Sequence, residues 1–486
     1  MKKLSIFLVV IMTFSASGVF ASGLAIPEQG AAAMGLSAAM TARSEDLSSI
    51  FYNAAGLDYV EKFDLLLGIT PIMPSHDYAP FNYKPYSDYD FTKQESESNT
   101  FLPPQIYAAF RASNSIVLGL GVNTPFGLGT EWNKEWDGRY ASTFAEIQSI
   151  FITPTISYQA TDMVSIGAGI SYVTSTATLE KMIDTGSGLF GASGLNPALA
   201  SLMANTDNDS EFSIEGDGTG IGYNLGVIIR PFENYQFGIS FRSALDIEYD
   251  GTAKFKHQTQ NNIDAITDAL LNDGADAVTA AGTAAALNTG VTGTMPASQT
   301  GTATISMPWQ LNVGLLRTIN EKWDVSAEVN VVGWSVYKDL TIDFDDDLPY
   351  DTSTMEKNWE NSYVYRLGSS YDVNEHFTAR GGLMFDFNPV PGSTFDGQLP
   401  DSDRYAISVG AGYKLGVLQL DASYMLLKFL NRSKVNGVGY TVDTTGNGVI
   451  DRFDVGSSPL GYGYPVANGK YRGMAHLLSV SLSYNF

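Results

Sequence analysis

The stretch DTTGNGVIDRFD, residues 443–454, has the spacing of a twelve-residue calcium loop. Such loops place oxygen ligands at positions 1, 3, 5, 7, 9 and 12, with glycine at 6 for the sharp turn. Here the ligands are Asp443, Thr445, Asn447, the carbonyl of Val449, Asp451 and Asp454, and Gly448 is the turn residue. Thr445 at position 3 departs from the pattern, as does Asp454 where a bidentate glutamate is usual. No flanking helices are apparent. One reading is a structural calcium held at millimolar affinity; the other is an acidic turn. No further cofactor is expected.

Catalytic chemistry is less well represented. The four histidines, His76, His257, His376 and His476, join no recognisable nucleophile motif, and cysteine is absent. The expectation is therefore a protein that is not an enzyme. A formal net charge of −24 argues against nucleic acid as a partner, because phosphates need a basic face.

The elements that would carry these groups are strands. Charged residues are only 16% of the chain, against roughly 25% for soluble proteins. Residues 1–21 read as a secretory signal: Lys2 and Lys3, an apolar run from Leu4 to Phe14, then small residues before a cut at Ser22. Beyond it no run approaches the roughly 18 apolar residues of a spanning helix. Alternation is strong instead. In HLLSVSLSYNF (476–486), Leu478, Val480, Leu482, Tyr484 and Phe486 alternate with Ser479, Ser481, Ser483 and Asn485. Strands are expected at 63–76, 101–112, 115–124, 146–159, 163–180, 218–231, 235–256, 302–319, 322–344, 356–372, 375–388, 403–415, 417–430 and 474–486. Short turns alternate with long loops between them, as in outer-membrane barrels. The fold class is all-β: a fourteen-stranded antiparallel transmembrane β-barrel over 61–486, its face greasy toward lipid and polar toward the lumen. The calcium-like loop then falls in the last extracellular loop. A terminal aromatic strand resembles the signal read by the barrel assembly machinery, an expected partner beside outer-membrane lipid. A monomer is expected.

Residues 22–60 do not alternate. They are rich in alanine and glycine, with short helices expected at 29–42 and 45–51. Fourteen strands enclose more room than their own side chains fill, so this segment is expected to lie in the lumen as a hatch. The alternative is a periplasmic tail.

Several motifs resemble the FadL/TodX-type outer-membrane transporters of long-chain fatty acids and hydrocarbons. YNAAGL (52–57) is similar to that family's Asn-Pro-Ala motif; Asn53 and Ala55 match, and Ala54 stands where proline is usual. VNTPFGLGTEWNKEWDGRY (122–140), VVGWSVYKDL (331–340), NWENSYVYRLGSSYDVNEHFTARGGLMFDFNPVP (358–391) and LPDSDRYAISVGAGYKL (399–415) carry the rest of the likeness. The resemblance implies passive, ligand-gated diffusion of a hydrophobic ligand through a hatch-plugged barrel in a Gram-negative outer membrane. The ligand would leave through a wall gap where strand three kinks. Gly119 and Gly121 are the candidates for that kink, or else small residues making room for packing. Leu24 matches a position that the family seats in an apolar pocket. A general porin and an aromatic-hydrocarbon channel are the alternatives.

Parity places Arg242, Asp246, Glu328, Glu360, Arg366, Arg380, Asp386, Arg404 and Asp421 in the lumen. Opposite signs can pair across the bore and hold the hatch. A lumen arginine can instead receive a carboxylate, with Arg404 and Asp386 the first choice. The apolar insertions 188–203 and 261–271 are expected to be short helices that shape an outer groove, or to pack against neighbouring loops.

Overall fold

The computed structural model describes residues 23–80, 93–194, 196–204, 206–292, 297–345, 352–434 and 467–486. The leader and the loop carrying Asp443, Thr445, Asn447, Val449, Asp451 and Asp454 lie outside the described residues.

Twenty-one strands form one antiparallel sheet that closes on itself in fourteen passes. The first pass is β1 (Phe63–Ile69) with β2 (Ile72–Pro80), and the second is β3 (Gln94–Glu95) with β4 (Pro104–Ser113). The third is β5 (Ile116–Asn123) with β6 (Gly127–Glu131). Three long strands follow: β7 (Phe144–Thr161), β8 (Val164–Ile183) and β9 (Ser210–Phe232). The next four passes are each broken in two: β10 (Tyr235–Arg242) and β11 (Leu245–Lys256), β12 (Ser298–Met307) and β13 (Trp309–Asn320), β14 (Trp323–Gly333) and β15 (Asp339–Phe344), then β16 (Thr352–Glu356) and β17 (Ser362–Asp372). The last four are β18 (Phe377–Asp386), β19 (Arg404–Leu415), β20 (Leu418–Lys434) and β21 (Gly469–Asn485).

Closure is made by β21, which runs against β1 from Asp64–Asn485 to Ile69–Val480 and continues along β2. Hydrocarbon offers no partner to a free sheet edge, so this seam is obligatory. Parity holds as expected: Ile407, Val409, Leu420, Leu478, Val480 and Leu482 are exposed on the outside, while Ser408, Asp421, Ser479 and Ser481 are buried within. Two expected lumen charges are not there. The interruption at residues 243–244 shifts the side-chain period by one, so Leu245 and Ile247 point inward and Asp246 points out, bonded to Ser306. Glu360 falls in the break between β16 and β17 and is exposed.

The segment 23–60 packs against the inner wall. Its helices, α1 (Ala31–Gly35) and α2 (Ser49–Tyr52), are shorter than expected. Ser37 and Ala38 take left-handed φ values of 50° and 62°, which ends α1. A 3₁₀ turn (Ala54–Tyr59) completes it. A belt of wall glycines lets it sit there. A Cβ at Gly167 would lie 2.3 Å from Ala54, at Gly238 2.0 Å from the Thr41 carbonyl, and at Gly382 2.4 Å from Leu36. Outside, α3 (Thr185–Ala192), α4 (Thr259–Asn272) and α5 (Ala277–Thr292) bury Leu189, Phe190, Leu199, Ile266 and Leu270 together. The apolar insertions therefore pack on each other.

Candidate functional site

The third pass is interrupted at Thr124-Pro125-Phe126, between β5 and β6. Pro125 has no N–H to give to a ladder. The break is not at Gly119 or Gly121. Both lie within β5, paired to β4 on one side and β7 on the other. Their role is room: a Cβ on either would come within 3.0 Å of Ile50 in α2. Of the two sequence readings for these glycines, packing wins.

Above the break the second and third passes part. β4 begins only at Pro104, and β6 bonds β7 but not β4. A cavity of about 660 Å³ fills the space. One side is Phe101, Leu102, Pro103 and Pro104; the other is Leu128, Gly129 and Thr130. Its lining includes Gln148 and Ile150, exposed on the outside of β7, and Ile147 and Ser149, buried within. The cavity thus passes through the wall. A gap at this depth would leave bare N–H groups facing lipid, at several kcal/mol each. Pro103 and Pro104 remove two of these donors.

The hatch supplies the inner edge. Ala25 makes a bridge with Phe126; the Ile26 N–H donates to the Pro125 carbonyl at 2.8 Å, and the Gly127 N–H to that of Leu24 at 3.0 Å. Residues 24–26 therefore act as a short strand over the broken pass. Gly23 has a φ of +59°, and a Cβ there would lie 2.6 Å from the Trp359 ring, so only glycine fits. Leu24 is buried in a cluster that includes Phe126, Phe151, Trp334 and Trp359. The Gly23 N–H donates to Asp401 Oδ2 at 3.2 Å. Burial pushes the Asp401 carboxyl up to about 7; Arg404 opposes this and Asp386 adds to it.

The hatch motif has a clear mechanical role. Asn53 caps the 3₁₀ turn, accepting the Ala55 N–H at 3.2 Å, and its own amide donates to the Thr41 carbonyl at 2.7 Å and to Val227 of β9 at 3.1 Å. Ala54 and Ala55 are fully buried against the wall at Gly167, where a larger side chain has no space.

The lumen charges pair along the wall, not across the bore. Asp386 and Arg404 are register neighbours, with Nε to Oδ2 at 2.8 Å. Glu328 and Arg366 are register neighbours at 3.4 Å. Arg380 reaches Asp421 at 2.6 Å. Only some charges touch the hatch: Glu328 accepts the Thr41 N–H at 2.9 Å, and fully buried Arg43 bonds Glu45, Asp324 and Ser326. Arg404 also lines the wall cavity, beside Asp401. Sequence reasoning missed Pro103, Pro104, Pro125 and Asp401. The prolines carried a signal, since proline inside a strand-like run marks an edge or a break; Asp401 carried none.

Comparison with known proteins agrees with this architecture. A family described as "Outer membrane protein transport protein (OMPP1/FadL/TodX)" matches residues 12–486. A long-chain fatty acid transport protein of Escherichia coli O6:H1 is 23% identical over 349 residues, covering 69% of this chain and 73% of that one. Among solved structures, a FadL homologue of Pseudomonas aeruginosa superposes with a TM-score of 0.73 at 19% identity, covering 96% of this chain and all of that one. The toluene transporter TodX of Pseudomonas putida gives 0.62 at 16%, covering 94% and 98%. By its match over nearly the whole length, this chain belongs to the OMPP1/FadL/TodX family of outer-membrane transport proteins.

Proposed function

We propose that the protein carries small hydrophobic molecules, fatty acids or hydrocarbons, passively across the outer membrane. The ligand reaches the buried aromatic cluster of Trp334 and Trp359 that packs on Leu24, displaces the segment Gly23–Pro27, and leaves sideways through the wall gap. The observation that carries this reading is the cavity beside that segment, lined from both faces of β7. A molecule that leaves sideways need never cross the hatch or meet periplasmic water. The relatives named for fatty acid and toluene transport support the substrate class.

The test is uptake by cells that lack their own such transporter. Expression should raise entry of a radiolabelled long-chain fatty acid or of toluene at least tenfold and leave a small sugar unchanged. Sugar entry rising as much would favour the porin.

The chain works without catalysis in this reading. Ser210 Oγ lies 3.0 Å from His257 Nδ1, a contact that a hydrolase could use, but Ser210 is fully buried and shares a hydrogen bond with Thr185. We further propose that residues 1–21 are removed on export, that the barrel assembly machinery inserts the chain, and that it works as a monomer amid outer-membrane lipid. Loop 443–454 binds structural calcium in this proposal. Titration of the purified protein with calcium in a calorimeter should give saturable heat in the millimolar range. A flat trace would leave an acidic turn.

A further inference from the structure

The outward face of the wall changes character where it leaves the apolar band. On β21 the outward side chains run Tyr484, Leu482, Val480 and Leu478, then His476, Met474, Arg472 and Lys470. From Tyr484 to Met474 is ten residues of tilted strand, a rise of about 25 Å and so the full height of such a band. Arg472 and Lys470 therefore stand just above it, and both are exposed. Lys428 of β20 joins them on the same face. Its register partner is Met474, which makes Arg472 and His476 its diagonal neighbours at roughly 7–8 Å, within reach of long side chains.

Lys428, Lys470 and Arg472 make no ion pair among the described residues. The carboxylates on the flanking strands are engaged elsewhere. Asp77, the register partner of Arg472, lies 2.9 Å from Lys93, which also holds Glu95 at 2.6 Å. Asp403, two residues before the Tyr405 that pairs with Lys428, accepts the Asn388 N–H at 3.2 Å. Half the circumference away the sign is reversed. There the outward side chains of β9 change from Leu225, Tyr223 and Ile221 to Asp217 and Glu215, and β11 sets Glu248 and Asp250 beside them. Asp217 and Asp250 are register partners, a like-charge pair that costs stability. The charges above the band are thus sorted into an acidic half and a basic seam.

Cations at this height meet the head groups of the outer leaflet. Below Lys428 on the same face lie Leu426 and Tyr424, flanked by Ile407 on β19 and Leu478 on β21. The Tyr424 hydroxyl is 2.8 Å from His476 Nδ1, so the aromatic ring is fixed at the edge of the band. We propose that the outer face of β20 and β21 is a docking surface for a lipid whose head group carries phosphate. Lys428, Lys470 and Arg472 hold the phosphate, and the acyl chains lie on Leu426, Tyr424 and Leu478. Phosphate fits because a guanidinium grips two of its oxygens at once, and each lysine near a charged lipid surface adds attraction. The acidic half repels the same head group, so the barrel offers it one side only. The lipid also clasps the closing seam, since a head group shared by Lys428 and Arg472 ties β20 to β21, the strand that closes the barrel on β1 and β2.

The test is native mass spectrometry of the full barrel with two probes, diphosphoryl lipid A and the same lipid stripped of its phosphates. The native protein should retain the phosphorylated form at least tenfold more strongly. Lys428→Gln with Arg472→Gln should bring that ratio near one, while Glu215→Gln with Asp217→Asn should leave it at the native value. None of these four side chains makes a hydrogen bond or ion pair among the described residues, so the variants should fold, which heat-modified gel migration checks. Should the double variant fail to assemble, Arg472→Gln alone should lower the ratio at least threefold. Equal retention of the two lipids by native protein overturns the proposal, and so does a folded seam variant that keeps the native ratio. Displacement of the lipid by millimolar inorganic phosphate would show that the acyl chains add nothing and leave a site for the free ion. Loss of the lipid on chelating divalent cations would move it to the acidic half, held through a metal. Either result also overturns the proposal.

Discussion

Gly382→Val is expected to turn a closed barrel into a conducting one, while Gly381→Val, one residue earlier, is expected to be silent. The two glycines sit on opposite faces of β18. A Cβ on Gly381 meets nothing nearer than the Ser408 carbonyl at 3.9 Å. A Cβ on Gly382 would lie 2.4 Å from the Leu36 carbonyl carbon and 2.5 Å from the Ser37 nitrogen. Those atoms are hatch backbone and cannot swing aside like the end of a side chain. They are also held where they are: the Ser37 N–H donates to Ser408 Oγ at 3.0 Å, and Ser408 Oγ donates to the Gly35 carbonyl at 3.1 Å. Overpacking of this kind costs about 1–3 kcal/mol, and backbone contact puts it at the upper end. The sheet keeps its ladder bonds, and valine suits a strand better than glycine does. The hatch is therefore the part that yields. Conductance in planar bilayers should rise at least tenfold for Gly382→Val over native protein and stay at the native level for Gly381→Val. Equal behaviour of the two variants would mean that this stretch of 23–60 does not seal the bore.

The second large effect concerns Arg404. Removing its side chain should destabilise the barrel by about 3–5 kcal/mol, the cost of breaking a buried ion pair from one side. Asp386 is fully buried, and Arg404 is its register neighbour. With the arginine gone, Asp386 would face Asp401 and Asp403 without a compensating cation beside it; burial has already pushed the Asp403 carboxyl up to about 6. Arg404→Ala should show this as a lower fraction of heat-resistant barrel, and adding Asp386→Asn should restore much of it. Uptake per folded barrel should stay within about twofold of native, since the Arg404 guanidinium is already held by Asp386 and is assigned to stability, not to the ligand. A tenfold fall in uptake at unchanged stability would instead make Arg404 a ligand contact and refute the structural assignment.

Strand existence was legible because each face of a barrel wall has one solvent. Lipid outside and polar lumen inside impose a period of two, and HLLSVSLSYNF shows it without knowledge of any neighbour. The same rule misplaced Asp246, since parity carries across a pass only while the strand is unbroken, and the break at residues 243–244 resets it. Asn53 was singled out from a motif, and the structure shows why the motif works: one side chain caps a turn and ties two hatch segments to the wall.

The kink was mislocated for a different reason. Gly119 and Gly121 read as weak points because glycine loosens a strand, but what their missing side chains do depends on Ile50, about seventy residues away in sequence. Pro125, four residues beyond Gly121, removes a donor outright and ends the ladder. The partners of Arg404, Arg366 and Arg380 were likewise undetermined, because pairing follows register between strands.

Thus composition and alternation alone established a closed, lipid-facing wall with a small-residue segment left over to fill it, because those features depend only on which solvent each residue meets. Where the wall opens, which carboxylate each lumen arginine pairs with and which glycines admit the hatch were decided only when distant passes came into register. Each of those properties is a contact between residues far apart in the chain, and no local pattern encodes one.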